Sequence, residues 1–267
     1  MSDHTVEVRR RRGSTWPVVA AQELRDLWLS GRALMMILAQ AVLLSVSTYL
    51  VAINQELNFL EQREAVSLTL QLTVAAGSLL VVLAAADTFS GERERGSLET
   101  LLLTPTPRPA LALGKGVAAL SLWLGAFAVS LPYLWWLGRD VGTFGQAVLN
   151  GALVGTLLSV ALVGLGVLVS MLSGSNGVSL AVSFFVLLAL YAPSQMPVDA
   201  TRGWAGELLL RADPFSAATV FLDRLVVQEH TTGQEAALLL APVIAALLLP
   251  AVALVVAGRV RLMPGGR

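Results

Sequence analysis

Residues 147–172 read AVLNGALVGTLLSVALVGLGVLVSML, a run of 26 residues without a charged side chain. A helix crosses a bilayer when about 20 consecutive residues are predominantly apolar. Four more uncharged runs of such length lie at 33–53, 66–86, 116–137 and 236–257. A sixth, 178–192, would rise only about 22 Å as a helix, so we expect it to take in residues at either end. Buried helices of a soluble protein are the alternative, but six runs without one charge argue against it.

The composition agrees with a membrane protein. The chain has 267 residues, of which 55% are hydrophobic and 13% charged, and its mean hydropathy is +0.72. Soluble domains carry about 25% charged residues. Because every backbone group in hydrocarbon must be paired within its own segment, the runs are expected to be helices. The sequence therefore predicts an all-α polytopic membrane protein with six transmembrane helices.

Composition also excludes several kinds of site. The 18 basic and 18 acidic residues balance, which gives no reason to expect a nucleic-acid partner. Cysteine is absent and histidine occurs only at His4 and His230, so disulfides, thiolate sites and polyhistidine metal sites are excluded. We predict that the chain binds no metal.

The basic residues predict the orientation. Six spans divide Lys and Arg into 13 on one side, called here the arginine-rich side, and 5 on the other, the arginine-poor side. Loops rich in Lys and Arg remain in the cytoplasm. We therefore predict that both termini are cytoplasmic, that the protein lies in the cytoplasmic (inner) membrane, and that it divides into an N-terminal segment (1–32), a transmembrane domain (33–257) and a tail (258–267).

An amphipathic helix is predicted before the first span, over residues 16–30, WPVVAAQELRDLWLS. Helical spacing separates an apolar face from a polar one, the apolar face being Val18, Ala21, Leu24, Leu27 and Trp28 and the polar face Gln22, Glu23, Arg25 and Asp26. Such a helix lies along the inner membrane surface. A cytoplasmic extension of the first span is the alternative.

Residues 87–115 form the sizeable loop of the arginine-rich side, DTFSGERERGSLETLLLTPTPRPALALGK. Gly96 can end a helix that continues from the second span, and Ser97 can cap a new short helix. Pro105, Pro107 and Pro109 stop that helix. Glu92 and Arg95 have the spacing of a helical ion pair, as have Arg95 and Glu99. The leucine face of the short helix, Leu98, Leu101 and Leu102, either contacts a partner or lies on lipid headgroups.

Residues 193–235 are the long segment of the arginine-poor side, between the fifth and sixth spans. Asp213 followed by Pro214 predicts the start of an amphipathic helix, PFSAATVFLDRLVVQ. A shorter helix is predicted over 203–211. These helices are expected to cap the outer mouth or to meet an external partner.

Uncharged polar and small residues distinguish some positions within the spans. Gln40, Gln71 and Asn150 either line a substrate path or form hydrogen bonds between helices. Gly151, Gly155 and Ser159 follow the small-xxx-small spacing that lets a neighbouring helix approach closely. No span carries a charge, so proton-coupled transport has little support.

The sequence contains no recognisable catalytic motif. Its single lysine, Lys115, is followed by Gly116 where a phosphate-binding loop needs Ser or Thr. No G-x-S-x-G or H-E-x-x-H pattern occurs either. We therefore predict that the chain is not an enzyme on its own.

The stretch 89–115, FSGERERGSLETLLLTPTPRPALALGK, resembles the cytoplasmic loop of ABC type-2 permeases, the membrane subunits of one exporter class. That loop reads E-R-E-x-G-[ST]-L-E-x-L-L-x-[ST]-P, followed by a basic residue and then G-K. The matching residues are Glu92, Arg93, Glu94, Gly96, Ser97, Leu98, Glu99, Leu101, Leu102, Thr104, Pro105, Arg108, Gly114 and Lys115. The six-span order and the helices before the last span are similar too.

The resemblance implies a permease subunit of an ATP-driven exporter, with a coupling helix in residues 90–104 that docks on a separate ATPase subunit. The implied contact residues are Glu92, Arg93, Glu94, Arg95, Ser97, Leu98, Glu99, Leu101, Leu102 and Thr104. Two ATPase copies would bind ATP and Mg²⁺, this chain would bind no cofactor, and two permease copies, expected to be a homodimer, would form the path.

Two alternatives remain open beside the exporter. One is a mechanotransmitter, or the membrane subunit of a maturation system, which acts on an external protein without bulk transport. The other is an intramembrane enzyme, which the missing acid, base and nucleophile sets disfavour.

Overall fold

The computed structural model describes residues 15–53, 59–97, 106–195, 203–228, 230 and 233–259, and this part of the chain consists of helices joined by turns, without a β-strand. Its α-helices in chain order are α1 (Trp16–Leu29), α2 (Arg32–Ile53), α3 (Phe59–Glu94), α4 (Arg108–Gly138), α5 (Phe144–Leu172), α6 (Asn176–Tyr191), α7 (Trp204–Ala212), α8 (Pro214–Val226) and α9 (Leu240–Arg259). Short 3₁₀-helices at Ala192–Gln195 and Ala236–Leu239 follow α6 and precede α9.

Six of these helices are long and apolar enough to cross a membrane: α2, α3, α4, α5, α6 with its 3₁₀ turn, and the 3₁₀ turn with α9. The predicted all-α polytopic class is confirmed. The short predicted span 178–192 gains two residues at its start and the 3₁₀ turn at its end. The resulting span, Asn176–Gln195, has 20 residues and rises about 32 Å, which matches a hydrocarbon core of about 30 Å.

Helices α3 and α4 extend well beyond the apolar runs that predicted them. α3 has 36 residues and ends where Gly96 adopts a φ of +71°. The Gly96 N–H donates to the Arg93 carbonyl (3.2 Å) and the Ser97 N–H to the Glu92 carbonyl (3.0 Å). These two bonds form a Schellman motif, so the predicted helix end at Gly96 is confirmed. α4 begins at Arg108, with Pro109 in its first turn, where proline needs no N–H partner.

The predicted amphipathic helix is confirmed as α1, which packs against the first half of α4. The Trp28 indole N–H donates to the Ser121 hydroxyl (3.0 Å), and a Cβ on Gly114 would lie 2.6 Å from Val19. The side facing α4 matches the predicted apolar face only in part, because Trp28 of that face contacts α4. Ala20 is buried there, whereas Val18 of the predicted face is 72% exposed.

The core is organised around Trp123 of α4, which is 1% exposed. Its indole N–H donates to the Thr156 hydroxyl (3.0 Å). A Cβ on Gly77 of α3 would lie 2.8 Å from its ring, and a Cβ on Gly155 of α5 would overlap the ring. Two glycines thus make the space in which one large ring joins three spans.

The two helices predicted on the arginine-poor side are present as α7 and α8. The Asp213 carboxylate caps α8 by accepting the Ser216 N–H (2.6 Å), and Pro214 occupies the first turn, as predicted. Phe215 and Phe221 of α8 are buried in the same core as Trp123. α8 is therefore packed into the transmembrane domain.

Gly155→Ala is expected to destabilise the protein by about 1–3 kcal/mol, because the added methyl group overlaps the buried Trp123 ring. Gly145→Ala in the same helix is the matched control, since nothing lies within 4 Å of its Cβ position. Thermal unfolding of the detergent-purified variants compares them. Equal melting temperatures would contradict this packing.

Two carboxyl groups of the arginine-poor side predict opposite responses to pH. Burial raises the pKa of Asp213, so its contribution to stability falls as pH rises from about 4 through the folded-state pKa. Hydrogen bonding to His230, with Arg224 nearby, lowers the pKa of Glu235, so its contribution is present above about pH 4.3 and is lost as pH falls through the folded-state pKa.

Melting temperatures of Asp213→Asn and Glu235→Gln between about pH 3 and pH 7 test these signs. Asn can still cap α8, so the melting temperature of Asp213→Asn is expected to rise relative to that of wild type as pH rises. Glu235→Gln is expected to be less stable than wild type at neutral pH and to approach it on acidification. The difference in melting temperature between variant and wild type should change with pH in opposite directions for the two variants. If Asp213→Asn lost stability relative to wild type as pH rose, the pKa directions given above would be refuted.

Candidate functional site

The candidate functional site is the junction at the end of α3, where the ends of several helices are joined by charged and polar contacts. Its centre is the ammonium of Lys115 in α4, whose side chain is 1% exposed. Lys115 Nζ lies 2.6 Å from Glu23 Oε1 of α1 and 2.6 Å from Glu92 Oε1 of α3. It also lies 5.9 Å from the centroid of the Phe89 ring, within reach of a cation–π attraction. One buried cation therefore links α1, α3 and α4.

Asp87 of α3 forms a second joint two turns of helix before the end. Its Oδ2 lies 2.7 Å from the Arg32 guanidinium at the start of α2 and 3.2 Å from that of Arg95. Its Oδ1 accepts the Asn176 amide N–H at the start of α6 (2.9 Å). Each carboxylate oxygen thus holds a different helix, α2 or α6, against α3.

The last turns of α3 are also attached to the end of α5. The N–H groups of Phe89 and Ser90 both donate to the Ser170 hydroxyl at 2.9 Å. The Arg93 guanidinium donates to the carbonyls of Ser173 and Met171. The last carbonyls of a helix have no N–H partner within that helix. Arg93 donates hydrogen bonds to these carbonyls at the end of α5, and its positive charge is favourable at the negative end of the helix dipole.

A cleft of about 240 Å³ opens among these contacts. Its charged lining consists of Glu23, Asp26, Arg32, Asp87, Glu92, Arg95 and Lys115. Lys115 lies between Glu23 and Glu92, and Asp87 lies between Arg32 and Arg95. Within the described residues no group of side chains has the spacing of a metal site. The cleft is therefore a joint between helices.

The residues of the predicted ATPase contact divide into two groups. Glu92 and Arg93 are half-buried and engaged by Lys115 and the end of α5, whereas Glu94, Arg95 and Ser97 are exposed. The predicted helical pairing of Glu92 with Arg95 is replaced by two other ion pairs. Glu92 pairs with Lys115, and Arg95 pairs with Asp87. The remaining contact residues, Leu98, Glu99, Leu101, Leu102 and Thr104, lie outside the described residues.

The polar residues considered for a path are engaged in hydrogen bonds. Gln40 of α2 donates to the Ala126 carbonyl of α4 (3.3 Å), across two helices. Gln71 donates to the Ser67 hydroxyl and Asn150 to the Gln146 carbonyl, each within its own helix. Their role in a path stays a prediction.

The small residues considered for helix packing lie at close contacts. A Cβ on Gly151 would overlap Leu70 of α3, and the overlap of Gly155 with Trp123 is described above. Ser159 is fully buried. α5 thus presents this row of small residues to its neighbours.

Sequence reasoning missed Glu23 and Asp87 as parts of the site. Glu23 stood on the predicted polar face of α1, where water was its expected partner. Asp87 is the first charge after the apolar run 66–86, and Lys115 is the last before the run 116–137. A charge at the boundary of a span was the available signal, but the partner of each depends on which helices are neighbours.

The arrangement joins the end of α3 to its neighbouring helices. The end of α3 has direct polar contacts with α2, α4, α5 and α6, and through Lys115 with α1. Residues 95–107 connect that end to the start of α4. A displacement of this connection would therefore reach five neighbouring helices.

Lys115→Met is expected to destabilise the protein by about 3–5 kcal/mol, because it leaves the Glu23 and Glu92 carboxylates without their buried cation. Adding Glu23→Gln and Glu92→Gln removes both uncompensated charges and is expected to restore much of the loss. Thermal unfolding in detergent measures both effects.

Arg139→Gln serves as the control for Lys115→Met. It breaks the Arg139–Asp140 pair, in which the two side chains are 46% and 66% exposed, and a surface pair contributes at most about 1 kcal/mol. Equal losses for Arg139→Gln and Lys115→Met would show that burial does not set the strength of the junction.

Comparison with known proteins agrees with this architecture. Residues 18–262, nearly the whole chain, match the family described as ABC-2 family transporter protein. No curated protein matches the chain. The match begins in α1, spans all six membrane helices and includes the junction at the end of α3. The chain belongs to the ABC-2 transporter family and is a multi-pass membrane permease of an ABC transporter, whose family implies an ABC ATPase partner.

Proposed function

We propose that this chain is the permease subunit of an ABC exporter, that it forms the translocation path as a homodimer, and that an ATPase subunit drives it through residues 90–104. The ATPase, in two copies, binds ATP and Mg²⁺, and this chain carries no ATPase site of its own. The arginine-rich side then faces the cytoplasm of the inner membrane, with both termini there.

The observation that carries the proposal is the Lys115 junction. α3 ends at Glu94 and α4 begins at Arg108, and Lys115 of α4 is bound to Glu92 of α3 at 2.6 Å. The two helices that the connection 95–107 joins are thus held together by an ion pair with a buried cation. A partner that pushes on the connection moves both helices as a unit.

The exposed faces of the spans support the homodimer. α2 carries a row of exposed apolar side chains that includes Leu34, Leu38 and Leu50, which are 59%, 67% and 61% exposed. α6 and α9 also expose large apolar side chains, among them Phe185 and Leu247. These surfaces are available to a second copy or to lipid, and a path between two copies needs such a surface.

We propose the domain division expected from the sequence. The segment 1–32 contains α1, which would link α3 and α4 because it contacts α4 and, through Lys115, α3. Residues 33–257 form the transmembrane domain and 258–267 the tail.

A mechanotransmitter acting on an external protein is the second candidate. α8 is buried in the transmembrane core, so α7 and α8 would follow a motion of the spans. α7 presents Trp204 and Leu208, which are 82% and 61% exposed, on the arginine-poor side. An external protein could bind this apolar pair.

Glu94→Arg combined with Leu101→Asp is expected to abolish recovery of the ATPase with the purified permease, because both changes fall in the proposed contact. Glu94 is exposed, so the change at this residue leaves the Lys115 junction intact. The measurement is co-purification from cells that express the permease together with its ABC ATPase partner. Arg139→Gln, on the arginine-poor side, is expected to keep the ATPase.

Full recovery of the ATPase with the double variant would refute the proposed contact. Substrate flux into or out of proteoliposomes then separates the two candidates. An exporter moves substrate with each round of ATP hydrolysis, whereas a mechanotransmitter hydrolyses ATP without flux and loses its effect when Trp204 and Leu208 are replaced by Ser.

A further inference from the structure

We propose that Arg95 is a switch that passes docking of the ATPase on to α2. Its guanidinium lies back along α3 and binds Asp87. On docking, a carboxylate of the ATPase takes Arg95 from Asp87, and Asp87 is left to Arg32 of α2. The inference rests on the proposed function, because it requires an ATPase that docks at residues 90–104.

One carboxylate oxygen of Asp87 carries two guanidiniums. Asp87 Oδ2 lies 2.7 Å from Arg32 Nη2 and 3.2 Å from Arg95 Nη2. The other oxygen, Oδ1, accepts the uncharged amide of Asn176. One negative charge thus faces two positive charges, and the two guanidiniums repel each other at the oxygen that they share. Arg32 and Arg95 therefore compete for Asp87.

Arg95 is the competitor that a partner reaches first. Its contact with Asp87 is the longer of the two, and its side chain is 55% exposed, against 48% for Arg32 and 14% for Asp87. Arg95 also opens the connection 95–107, whereas Arg32 is the first residue of α2. A protein that binds the connection therefore meets Arg95 before it meets the Asp87 carboxylate.

Gly91 provides the route by which Arg95 reaches Asp87. The residues Asp87, Gly91 and Arg95 follow one another at intervals of four, so they lie on the same face of α3. The Arg95 N–H donates to the Gly91 carbonyl (3.0 Å), so the helical register continues as far as Arg95. A Cβ on Gly91 would overlap Asp87 Oδ1 and would lie 2.6 Å from Arg95 Nη2. A side chain at position 91 would therefore separate Arg95 from Asp87.

The charges around Arg95 favour an acidic partner. Glu92 is engaged by Lys115 at 2.6 Å. Glu94 directly precedes Arg95, and neighbouring residues on a helix do not face each other. The Asp87 site carries one surplus positive charge, which a carboxylate of the ATPase complements. Because a half-exposed ion pair contributes little free energy, exchanging Asp87 for that carboxylate costs little.

The competition links docking to α2 in both directions. If docking releases Asp87 to Arg32, then the Arg32–Asp87 pair must in turn favour docking by the same factor. Removal of Arg32 leaves Asp87 to Arg95 alone and is expected to weaken docking. An Arg95 that only stabilises the negative end of the α3 dipole would give no such link to Arg32.

The affinity of the full-length permease, in phosphatidylcholine nanodiscs, for its ABC ATPase partner tests the switch by biolayer interferometry. Gly91→Ala is expected to raise the affinity about two- to fivefold, the range that a half-exposed ion pair supports, because the methyl group displaces Arg95 from Asp87. Arg32→Gln is expected to lower it by a similar factor.

Matched variants control for the loss of a charge and for the added methyl group. Arg259→Gln removes an exposed arginine at the end of α9, and Gly145→Ala adds a methyl group with nothing within 4 Å of it. Both are expected to bind the ATPase like wild type. An affinity change in Arg259→Gln equal to that in Arg32→Gln would show a general effect of charge and would overturn the switch.

A double-mutant cycle shows whether Arg32 acts through Asp87. In an Asp87→Asn background, Arg32→Gln is expected to leave the affinity unchanged, because the charge for which the arginines compete is gone. If the melting temperature shows that Asp87→Asn does not fold, Gly91→Ala serves as the background, since Arg95 is already displaced there. An effect of Arg32→Gln that persists in the background overturns the switch.

Arg95→Gln separates failure of the switch from failure of the proposed function. It is expected to lower the affinity severalfold, because Arg95 belongs to the proposed contact. If Arg95→Gln and the variant Glu94→Arg, Leu101→Asp both bind the ATPase like wild type, the contact fails and the switch with it. If both bind more weakly while Gly91→Ala and Arg32→Gln bind like wild type, the contact stands and the switch alone is refuted.

Discussion

The structure depends on one buried ammonium. Lys115 is almost inaccessible to solvent and lies between two carboxylates, Glu23 and Glu92, which belong to different helices. A buried charge is tolerated only when it is paired, so this cation holds α1 and α3 against α4 for as long as all three side chains are present. The energetic cost of separating them makes the end of α3 a firm joint. The adjacent contacts of Asp87 and Arg93 extend the same joint to α2, α5 and α6.

This joint suggests how a permease of this family could be moved by its partner. An ABC permease responds to a partner that binds and hydrolyses ATP outside the membrane, so movement has to enter through a segment at the membrane surface. The connection 95–107 begins and ends at helices that the ion pair joins, and α8 on the opposite side is packed into the core that contains Trp123. The contacts thus form a continuous path from one surface to the other, which passes Trp123 and its two glycines.

Much of the fold followed from the sequence because each feature depended on local chemistry. Uncharged runs predicted the spans, Gly96 the end of α3, and Asp213 with Pro214 the start of α8. The face of α1 was predicted less well. The periodicity of Val18 and Leu24 marks an apolar side, but α1 contacts α4 through Ala20 and Glu23, because the partner of Glu23 is a lysine 92 residues away.

The sequence by itself determined the helices, their order and the family, since hydrophobic length, helix-capping residues and the E-R-E-x-G-[ST]-L-E motif are properties of short stretches. Only the tertiary structure decided that Glu92 pairs with Lys115 and not with Arg95, and that Asp87 joins α2 to α6. Those contacts connect residues far apart in the chain, and a helical bundle can pair its charges in many ways. Helix packing selects one of them, because only the neighbouring side chains can share a buried charge.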